Sequence, residues 1–381
     1  MKITLPTPQK LIAFTTTTLL GTGLSLGDVT TWTGAGSTGS GNWTDAANWD
    51  NGAPGIDDTA IFSTTGMANQ PDVGTSVLSI QQIQFDSAGW TISSGTGGGF
   101  IFRSGIEGIY NNVPGVNTVS VDTMSVNSSS DTWNWQVVAG STLVINGGDY
   151  NRNNGNVISG DGLIIVNAED VGGNPSDTSG FTGTLLTGEN GTFNIGNGTT
   201  SATSTFGGIG ALEFRKFNNG FIGGTIAPGG DGVLIPQIGA LTFVSESTGR
   251  SGATFLSGST LAMDIGTGGP GDNDKIETDF NGNPSLDIET GVTLALFGTI
   301  ALDGTYVLIE DIDDSGDFSG TFETITWNGE DVTGDTDRFL LNYGNDQISI
   351  TLTNVPEPST YVVIIGLLAV CVTTACRRRQ R

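Results

Sequence analysis

The phrases STLVING (residues 141–147), DGLIIVN (161–167) and GTLLTG (183–188) contain the pattern that decides the fold. In each, a short run rich in threonine, leucine, isoleucine and valine is bounded by a glycine or asparagine turn. Such runs are typical of β-strands. The pattern recurs in GTFNIG (191–196), ALEF (211–214), ALTFV (240–244), STLAMDIG (259–266), GVTLALFG (291–298) and GTYVLIE (304–310).

The spacing of these phrases indicates how the strands are arranged. One leucine per phrase, taken at Leu143, Leu163, Leu185, Leu212, Leu241 and Leu261, recurs at a step of roughly 20 to 30 residues. A recurring step of this size indicates stacked coils. We therefore expect an all-β chain with a right-handed β-helix or solenoid-like ectodomain, whose glycines and asparagines supply the positive φ of the corners. The alternative is a β-sandwich, in which strands recur about every 8 to 12 residues.

Composition supports a folded chain and excludes several catalytic classes. The 60 glycines and a charged fraction of only 14% favour short strands and turns over long helices. A hydrophobic fraction of 36%, with 18 phenylalanines and seven tryptophans, provides more apolar surface than disordered chains carry. The chain has no histidine, which excludes Ser-His-Asp and Cys-His nucleophile systems and imidazole zinc sites.

The charge distribution separates the ends from the middle. All 39 acidic residues lie between the basic ends, which hold six of the 13 basic residues: Lys2, Lys10, Arg377, Arg378, Arg379 and Arg381. A strongly acidic middle repels phosphates, so we expect no nucleic-acid partner. Both cysteines, Cys371 and Cys376, lie in the C-terminal apolar run, so the middle has no disulfide.

The N-terminus has the features of a secretory signal. Lys2 and Lys10 are followed by the apolar stretch LIAFTTTTLLGTGLSLG (11–27). Ser25 and Gly27 suit the −3 and −1 positions of a cleavage site. We therefore expect residues 1–27 to be a signal peptide handled by the Sec machinery and signal peptidase, with the ectodomain spanning residues 28–354.

The C-terminal segment, residues 355–381, has the features of a membrane span. The apolar run from Tyr361 to Cys376 would form a helix of about 24 Å, slightly shorter than a hydrocarbon core of about 30 Å. Arginines can snorkel and extend such a helix. By the positive-inside rule, a cytoplasmic stop follows it, formed by Arg377, Arg378, Arg379 and Arg381.

The order of the tail, VPEPST (355–360), then an apolar span, then an arginine cluster, resembles the PEP-CTERM sorting signal of exported bacterial proteins. The resemblance covers nearly the whole of this segment. It implies that an exosortase-type membrane enzyme recognises Pro356, Glu357 and Pro358 and passes the protein to the cell surface or extracellular matrix. The prolines keep this segment extended and outside the helix. The alternative is a permanent single-span anchor.

Parts of the middle also resemble a known family. The segment WTGAGSTGSGNWTDAANWDNGAPGIDDTAIFS (32–63), together with residues 223–279, GTYVLIED (304–311) and GDFSGTF (316–322), resembles passenger-type proteins with autotransporter-associated β-strand repeats. This resemblance covers about half of the middle and implies β-helix coils.

Tryptophans are the candidate sugar-binding residues. Trp43 and Trp49 could offer ring faces to a sugar, or their indoles could cap the first coil. Trp133 and Trp135 stand two residues apart, so on a strand they share a face, which would be a sugar platform if exposed.

An acidic turn is the candidate metal site. Asp311, Asp313 and Asp317 in DIDDSGDFSG (311–320) have the spacing of oxygen ligands in a Ca²⁺ loop. The closing position of such a loop is Phe322 rather than a glutamate, so the alternative is a solvated acidic turn. We therefore expect no cofactor, with Ca²⁺ as the alternative.

These features predict the class of function. We expect an exported, non-catalytic structural protein of the cell surface or extracellular matrix, anchored at least transiently in the inner membrane. One alternative is a surface carbohydrate-binding protein with an extracellular polysaccharide as partner. A polysaccharide-degrading enzyme is the third hypothesis, because Asp149 with Arg152, or Glu213 with Arg215, could place a carboxylate beside a positively charged residue.

Overall fold

The structure is a computed structural model, and it describes most of the middle of the chain. The described residues are 27–36, 41–64, 68–103, 108–126, 133–147, 156–168, 171–172, 176–194, 200–214, 220–229, 238–245, 252–280, 285–298, 303–312 and 317–353. The predicted signal peptide, apart from Gly27, and the predicted sorting tail lie outside this set.

The described residues form an all-β fold of 33 strands, with one short 3-10 helix at Ala46–Asn48. In the first half the strands are β1 (Val29–Thr31), β2 (Thr59–Phe62), β3 (Val77–Ile80), β4 (Gln82–Phe85), β5 (Thr91–Ser93), β6 (Gly99–Phe102), β7 (Gly108–Asn111), β8 (Gly115–Val121), β9 (Thr123–Val126), β10 (Trp133–Val137), β11 (Ser141–Gly147), β12 (Asn156–Gly160), β13 (Leu163–Val166), β14 (Val171–Gly172), β15 (Ser176–Phe181) and β16 (Thr184–Thr187).

In the second half the strands are β17 (Thr192–Asn194), β18 (Thr205–Gly208), β19 (Ala211–Phe214), β20 (Gly220–Ile222), β21 (Thr225–Pro228), β22 (Ala240–Ser245), β23 (Ala253–Phe255), β24 (Thr260–Asp264), β25 (Lys275–Asp279), β26 (Ser285–Ile288), β27 (Thr293–Phe297), β28 (Gly304–Asp311), β29 (Asp317–Gly320), β30 (Thr324–Trp327), β31 (Glu330–Asp331), β32 (Phe339–Tyr343) and β33 (Gln347–Leu352).

Successive coils contribute strands to three faces. Face 1 holds β1, β2, β4, β7, β10, β12 and β15, then β20, β23, β26 and β29. Face 2 is one sheet running from β5 through β8, β11, β13, β16, β18, β21, β24, β27 and β30 to β31. Face 3 holds β3, β6 and β9, then β14, β17, β19, β22, β25, β28, β33 and β32.

The strand pairing identifies this arrangement as a solenoid-like stack. Within each sheet, a strand pairs in parallel with the strand at the same position one coil later, as in β11 with β13 and β13 with β16. Faces 1 and 3 are each made of two sheets, with a break between β15 and β20 and between β9 and β14. Antiparallel pairs among the described strands occur at the C-terminal end, where β28 pairs β33, β33 pairs β32 and β30 pairs β31. A β-sandwich is built from antiparallel neighbours throughout, so the ladders favour stacked coils over this alternative.

The core of the stack is a set of inward-facing columns. On face 2, Leu143, Ile164, Leu185 and Phe206 occupy one register on four successive coils. All four side chains are fully buried. Their positions in the chain are evenly spaced, so these coils have the same length. Burying a large apolar side chain stabilises a fold by roughly 1.5 to 3 kcal/mol, so the columns supply the stability that disulfides do not.

The leucine spacing taken from the sequence mixes two faces. Leu143, Leu185 and Leu261 belong to the inward column of face 2. Leu163 pairs with Thr142 and precedes that column by one position. Leu212 and Leu241 lie on face 3, in β19 and β22. The uneven leucine steps therefore jump between faces, and the true step is more regular in the first coils.

Corners of the stack use glycine as predicted, but the predicted use of asparagine is limited to Asn328 among the described residues. Eighteen described glycines have positive φ, whereas Asn328 is the one described non-glycine residue that does. At Gly208 φ is 111°, and an added Cβ would lie 2.0 Å from the carbonyl oxygen of Thr187. Glycine is required there because both the backbone conformation and the neighbouring coil exclude a side chain.

The predicted single membrane helix falls outside the described residues. Among the residues that are described, no helix has the length and apolarity to cross a membrane.

Candidate functional site

The N-terminal tryptophans form a buried aromatic cluster. Trp43 is 1% exposed and Trp49 is 4% exposed. The ring centroid of Trp43 lies 4.9 Å from that of Trp49 and 5.0 Å from that of Phe100, and Trp49 lies 5.0 Å from Trp32. Their ring faces contact other rings, so a sugar cannot stack on them in this structure. The structure places the two candidate sugar-binding residues in the core at the first coils instead.

The same cluster is joined by hydrogen bonds. The indole N–H of Trp49 donates to the backbone oxygen of Trp43 at 2.7 Å, and the indole N–H of Trp32 donates to the oxygen of Asn69 at 2.8 Å. The indole N–H of Trp43 is buried and has no hydrogen-bond partner among the described residues. Trp43 therefore contributes by packing, whereas Trp49 contributes by packing and by a hydrogen bond.

In the second candidate pair, Trp135 is buried, whereas Trp133 is described by its backbone alone. Trp135 is fully buried on β10, where it pairs in register with Ile109 and Ile158 on the neighbouring coils of face 1. The backbone of Trp133 pairs with Asn156, and its side chain lies outside the described set. The predicted sugar platform therefore loses one of its two rings to the core.

Two of the three predicted calcium ligands, Asp311 and Asp317, are placed on strands. Asp311 ends β28 and is 5% exposed, and its carboxylate accepts a hydrogen bond from the Thr278 hydroxyl at 3.3 Å. Asp317 begins β29. Asp313 and the side chain of Asp317 fall outside what is described. Within the described residues, no group of three or more side chains has the arrangement of a metal site.

The remaining candidates from the sequence are the sorting motif, the terminal arginines and the two carboxylate–arginine pairs. Pro356, Glu357, Pro358 and the four arginines of the tail lie outside the described residues, as do Asp149, Arg152 and Arg215. Glu213 is described and is 4% exposed on β19.

A groove on the outer side of face 2 was not anticipated from the sequence. It has a volume of about 570 Å³ and crosses the sheet from Gly140 and Asp161 to Asp264 and Phe297. This volume lies in the range of about 300 to 1,000 Å³ typical of ligand sites.

The groove exists because one outward column loses its side chains. In register along face 2, this column runs Val144, Ile165, Leu186 and then Gly207 and Ala227. Ala262 and Ala295 pair further along the same sheet. An added Cβ at Gly207 would lie 1.9 Å from the oxygen of Ala227, so the bare position is enforced by the next coil. The groove is therefore deeper beyond Leu186, where the outward positions hold glycine or alanine.

A column of threonines runs beside this floor. Thr142 pairs with Leu163, Leu163 with Thr184 and Thr184 with Thr205. The register continues through Thr225, Thr260, Thr293 and Thr324. All seven threonine side chains are half-buried. Neighbouring strands are about 4.8 Å apart, so the hydroxyls repeat at this interval.

The hydroxyls in the groove are available to a ligand. Within the described residues, those of Thr184 and Thr205 form no hydrogen bond with the protein. By contrast, the hydroxyl of Thr187 on the same strand donates to the oxygen of Gly207 at 3.2 Å.

Carboxylates lie at both ends of the groove, at Asp161 on one side and at Asp264 and Asp274 on the other. Asp274 is 2% exposed, and its two oxygens accept hydrogen bonds from the backbone N–H groups of Asp264 at 2.8 Å and Gly239 at 3.0 Å. Burial, and to a smaller extent the nearby charge of Asp264, raises the pKa of the Asp274 carboxyl from 3.8 to about 7, against the effect of the two hydrogen bonds.

Asp274 is expected to make stability depend on pH. Because its pKa is higher in the folded than in the unfolded chain, the folded state holds the extra proton between pH 3.8 and about 7. Stability therefore falls as pH rises through this window. Relative to the Asp274→Asn variant, the wild-type protein should lose on the order of a few kcal/mol between about pH 4 and pH 8. Urea unfolding at several pH values measures this difference.

The Asp161→Asn variant is the matched control, because Asp161 lines the same groove but is exposed. It should follow the wild-type pH dependence. Parallel stability curves for the wild type and Asp274→Asn across the window would contradict a protonated Asp274.

Together, these features define the class: an all-β protein of stacked parallel strands with a groove lined by hydroxyl, apolar and carboxylate groups. No family model matches the chain, and no curated protein matches it.

Proposed function

We propose that the chain is an exported, non-catalytic structural protein of the cell surface or extracellular matrix, whose body is a right-handed β-helix. The observation that carries this proposal is the face 2 sheet, whose parallel ladder is continuous from β5 to β30. The coils share one core from the N-terminal aromatic cluster to the C-terminal antiparallel strands. Such a body is stiff, because each coil is fixed by the coils above and below it.

Both ends of the stack are covered by elements that disfavour association of one copy with another through exposed strand edges. The aromatic cluster of Trp32, Trp43 and Trp49 covers the first coils, and β32 and β33 pair antiparallel beside β28 at the last coils. Exposed strand edges promote edge-to-edge association, so elements that turn away from the parallel ladder protect against it.

The strongly acidic middle suits a hydrated exterior layer. The middle, between the basic ends, holds all 39 acidic residues and seven of the 13 basic ones, a formal charge of −32 (7 − 39), which keeps copies of the body apart and disfavours phosphate-rich partners. In this proposal the tail forms a single membrane helix after export, and an exosortase-type enzyme recognises Pro356, Glu357 and Pro358. The protein is then held transiently in the inner membrane before it reaches the surface.

The test is the location and intact mass of the protein in native cells. We expect a mature form that starts at Asp28, ends near Pro358 and is digested by protease added to intact cells. The triple variant Pro356→Ala, Glu357→Ala, Pro358→Ala should keep the terminal arginines and remain in the membrane fraction. As a control, Ser359→Ala alters a neighbouring residue and should be processed normally. A wild-type protein that stays in the cytoplasm with residues 1–27 intact would contradict the proposal.

A further inference from the structure

We propose that the groove on face 2 binds an extended strand of a neutral polysaccharide. This inference deepens the proposed function and rests on it, because it names the matrix component that the body would contact. The site differs from the tryptophans that the sequence suggested, and it is formed by side chains from at least five successive coils.

The shape of the groove fits a strand rather than a compact ligand. Its lining extends from Thr142 on β11 to Phe297 on β27, which are separated by six strand steps in the face 2 sheet. At about 4.8 Å per step, these positions lie roughly 29 Å apart. A polymer that lies across the strands can contact each coil in turn, whereas a small molecule would use only a fraction of this length.

The floor offers an apolar surface next to a trough. The accessible apolar side chains of the groove are Leu163, Ala227, Ala262 and Phe297. Leu186 is only 5% exposed, because it packs with Ile165, Val144 and Leu163 in a small outer cluster that is separate from the main core. Beyond it, Gly207 and Ala227 leave room above the sheet. Sugar rings present apolar C–H faces, which can lie on such a floor while their edges remain polar.

The wall offers a regular row of hydroxyls. Thr184 and Thr205 lie on adjacent strands, so their hydroxyls are spaced at about 4.8 Å. A hydroxyl can both donate and accept a hydrogen bond, which matches the dual character of a sugar hydroxyl. Because these two side chains have no protein partner within the described residues, a bound glycan would satisfy them without breaking an internal bond.

The charge of the lining selects against acidic glycans. The acidic residues among the described ones that line the groove are Asp161, Asp264 and Asp274, and none of these described lining residues is a lysine or arginine. Carboxylates accept hydrogen bonds from neutral sugar hydroxyls but repel uronates, sulfates and phosphates. The occupant is therefore a neutral polysaccharide. A second copy of this acidic chain is disfavoured for the same reason.

The experiment measures binding of neutral and acidic glycans to the full chain. The probes are hexasaccharides of β-1,4-linked glucose, mannose and xylose, with oligogalacturonate as the acidic counterpart. We expect at least one neutral hexasaccharide to bind and oligogalacturonate not to bind. The Thr184→Val, Thr205→Val double variant should weaken binding at least 10-fold, because valine preserves shape and removes the hydroxyls. Ala262→Leu should weaken it similarly by filling the trough.

Two matched controls separate the groove from general effects. Thr118→Val removes an outward hydroxyl on the same sheet outside the groove, and Ala240→Leu enlarges a half-buried alanine on face 3. Both should bind within about 2-fold of the wild type, and all variants should keep the wild-type Tm. Failure of all three neutral probes, equal binding by every variant, or preference for oligogalacturonate would overturn the inference.

The outcomes also separate this inference from the proposed function. If the neutral probes fail while the protein is still exposed on native cells, the groove inference fails and the structural function remains. If the neutral probes bind at the groove but the protein stays in the cytoplasm, the proposed function fails. A concentration-dependent mass increase that Ala262→Leu abolishes, without glycan binding, would assign the groove to self-association and overturn the inference.

Discussion

Replacing Phe206 by alanine is expected to lower the free energy of unfolding by about 3 to 5 kcal/mol. Phe206 is fully buried on β18 of face 2. Its ring centroid lies 6.4 Å from that of Phe181 on face 1 and 6.2 Å from that of Phe193 on face 3. Rings from all three faces therefore meet inside one part of the stack, and removal of the central one leaves a cavity that neighbouring coils cannot close easily.

Phe221→Ala is the matched control for this substitution. Phe221 lies on the neighbouring coil in β20, but its side chain is 37% exposed. We expect a loss of less than about 1 kcal/mol from this variant, because little apolar surface is returned to water. Urea unfolding followed by circular dichroism measures both. Similar losses for the two variants would contradict an inward Phe206 and hence the three-faced core.

Replacing Trp49 by alanine is the second large effect, with an expected loss of about 3 to 5 kcal/mol. Trp49 contacts Trp32 and Trp43 edge to face, and it donates a hydrogen bond to the backbone of Trp43. The substitution therefore removes packing and leaves the oxygen of Trp43 without this donor. Because the cluster covers the first coils, unfolding should begin at this end of the stack.

Trp43→Phe is the informative comparison within the same cluster. The indole N–H of Trp43 has no hydrogen-bond partner within the described part of the chain, so phenylalanine removes a buried unsatisfied donor and keeps an aromatic ring. We expect this variant to lose less than about 1.5 kcal/mol, and Trp49→Phe to lose more. Chemical denaturation with near-ultraviolet circular dichroism measures the ranking. The reverse ranking would show that the hydrogen bond of Trp49 does not stabilise the cluster.

Strand positions could be predicted from the sequence because each strand carries its own local signal. STLVING and GTLLTG correspond to β11 and β16, with a glycine as the last residue of β11 and a glycine on each side of β16. The face that each strand joins could not be predicted in the same way. ALEF and GTLLTG both give a four-residue strand that follows a glycine, yet β19 lies on face 3 and β16 on face 2. Pairing between coils decides this, and no local motif records it.

The burial of the tryptophans could not be predicted for the same reason. Trp135 and the N-terminal indoles could face inward or outward on the sequence pattern alone, because alternation fixes which residues share a face but not which face is buried. Their burial follows from neighbouring coils, which supply Ile109, Ile158 and Phe100 as partners.

The groove could not be predicted from local patterns either, because it depends on which residues of successive coils pair with one another. Leu186, Gly207 and Ala227 are far apart in the chain, and only coil stacking brings them into one column. A pattern of large side chains followed by glycine and alanine could have indicated the trough once the length of a coil was known. The leucine spacing did not reveal that length, because it mixed faces 2 and 3.

The measurement that tests the account most directly is the distance between spin labels at two ends of the threonine column. Thr142→Cys and Thr324→Cys, combined with Cys371→Ser and Cys376→Ser, provide the two labelling sites. Seven strand steps separate Thr142 from Thr324 along face 2. A continuous stack predicts a single narrow distance distribution centred at roughly 34 Å. A broad distribution, or a narrow one far from this value, would contradict one stiff stack of coils and remove the basis of the proposed function.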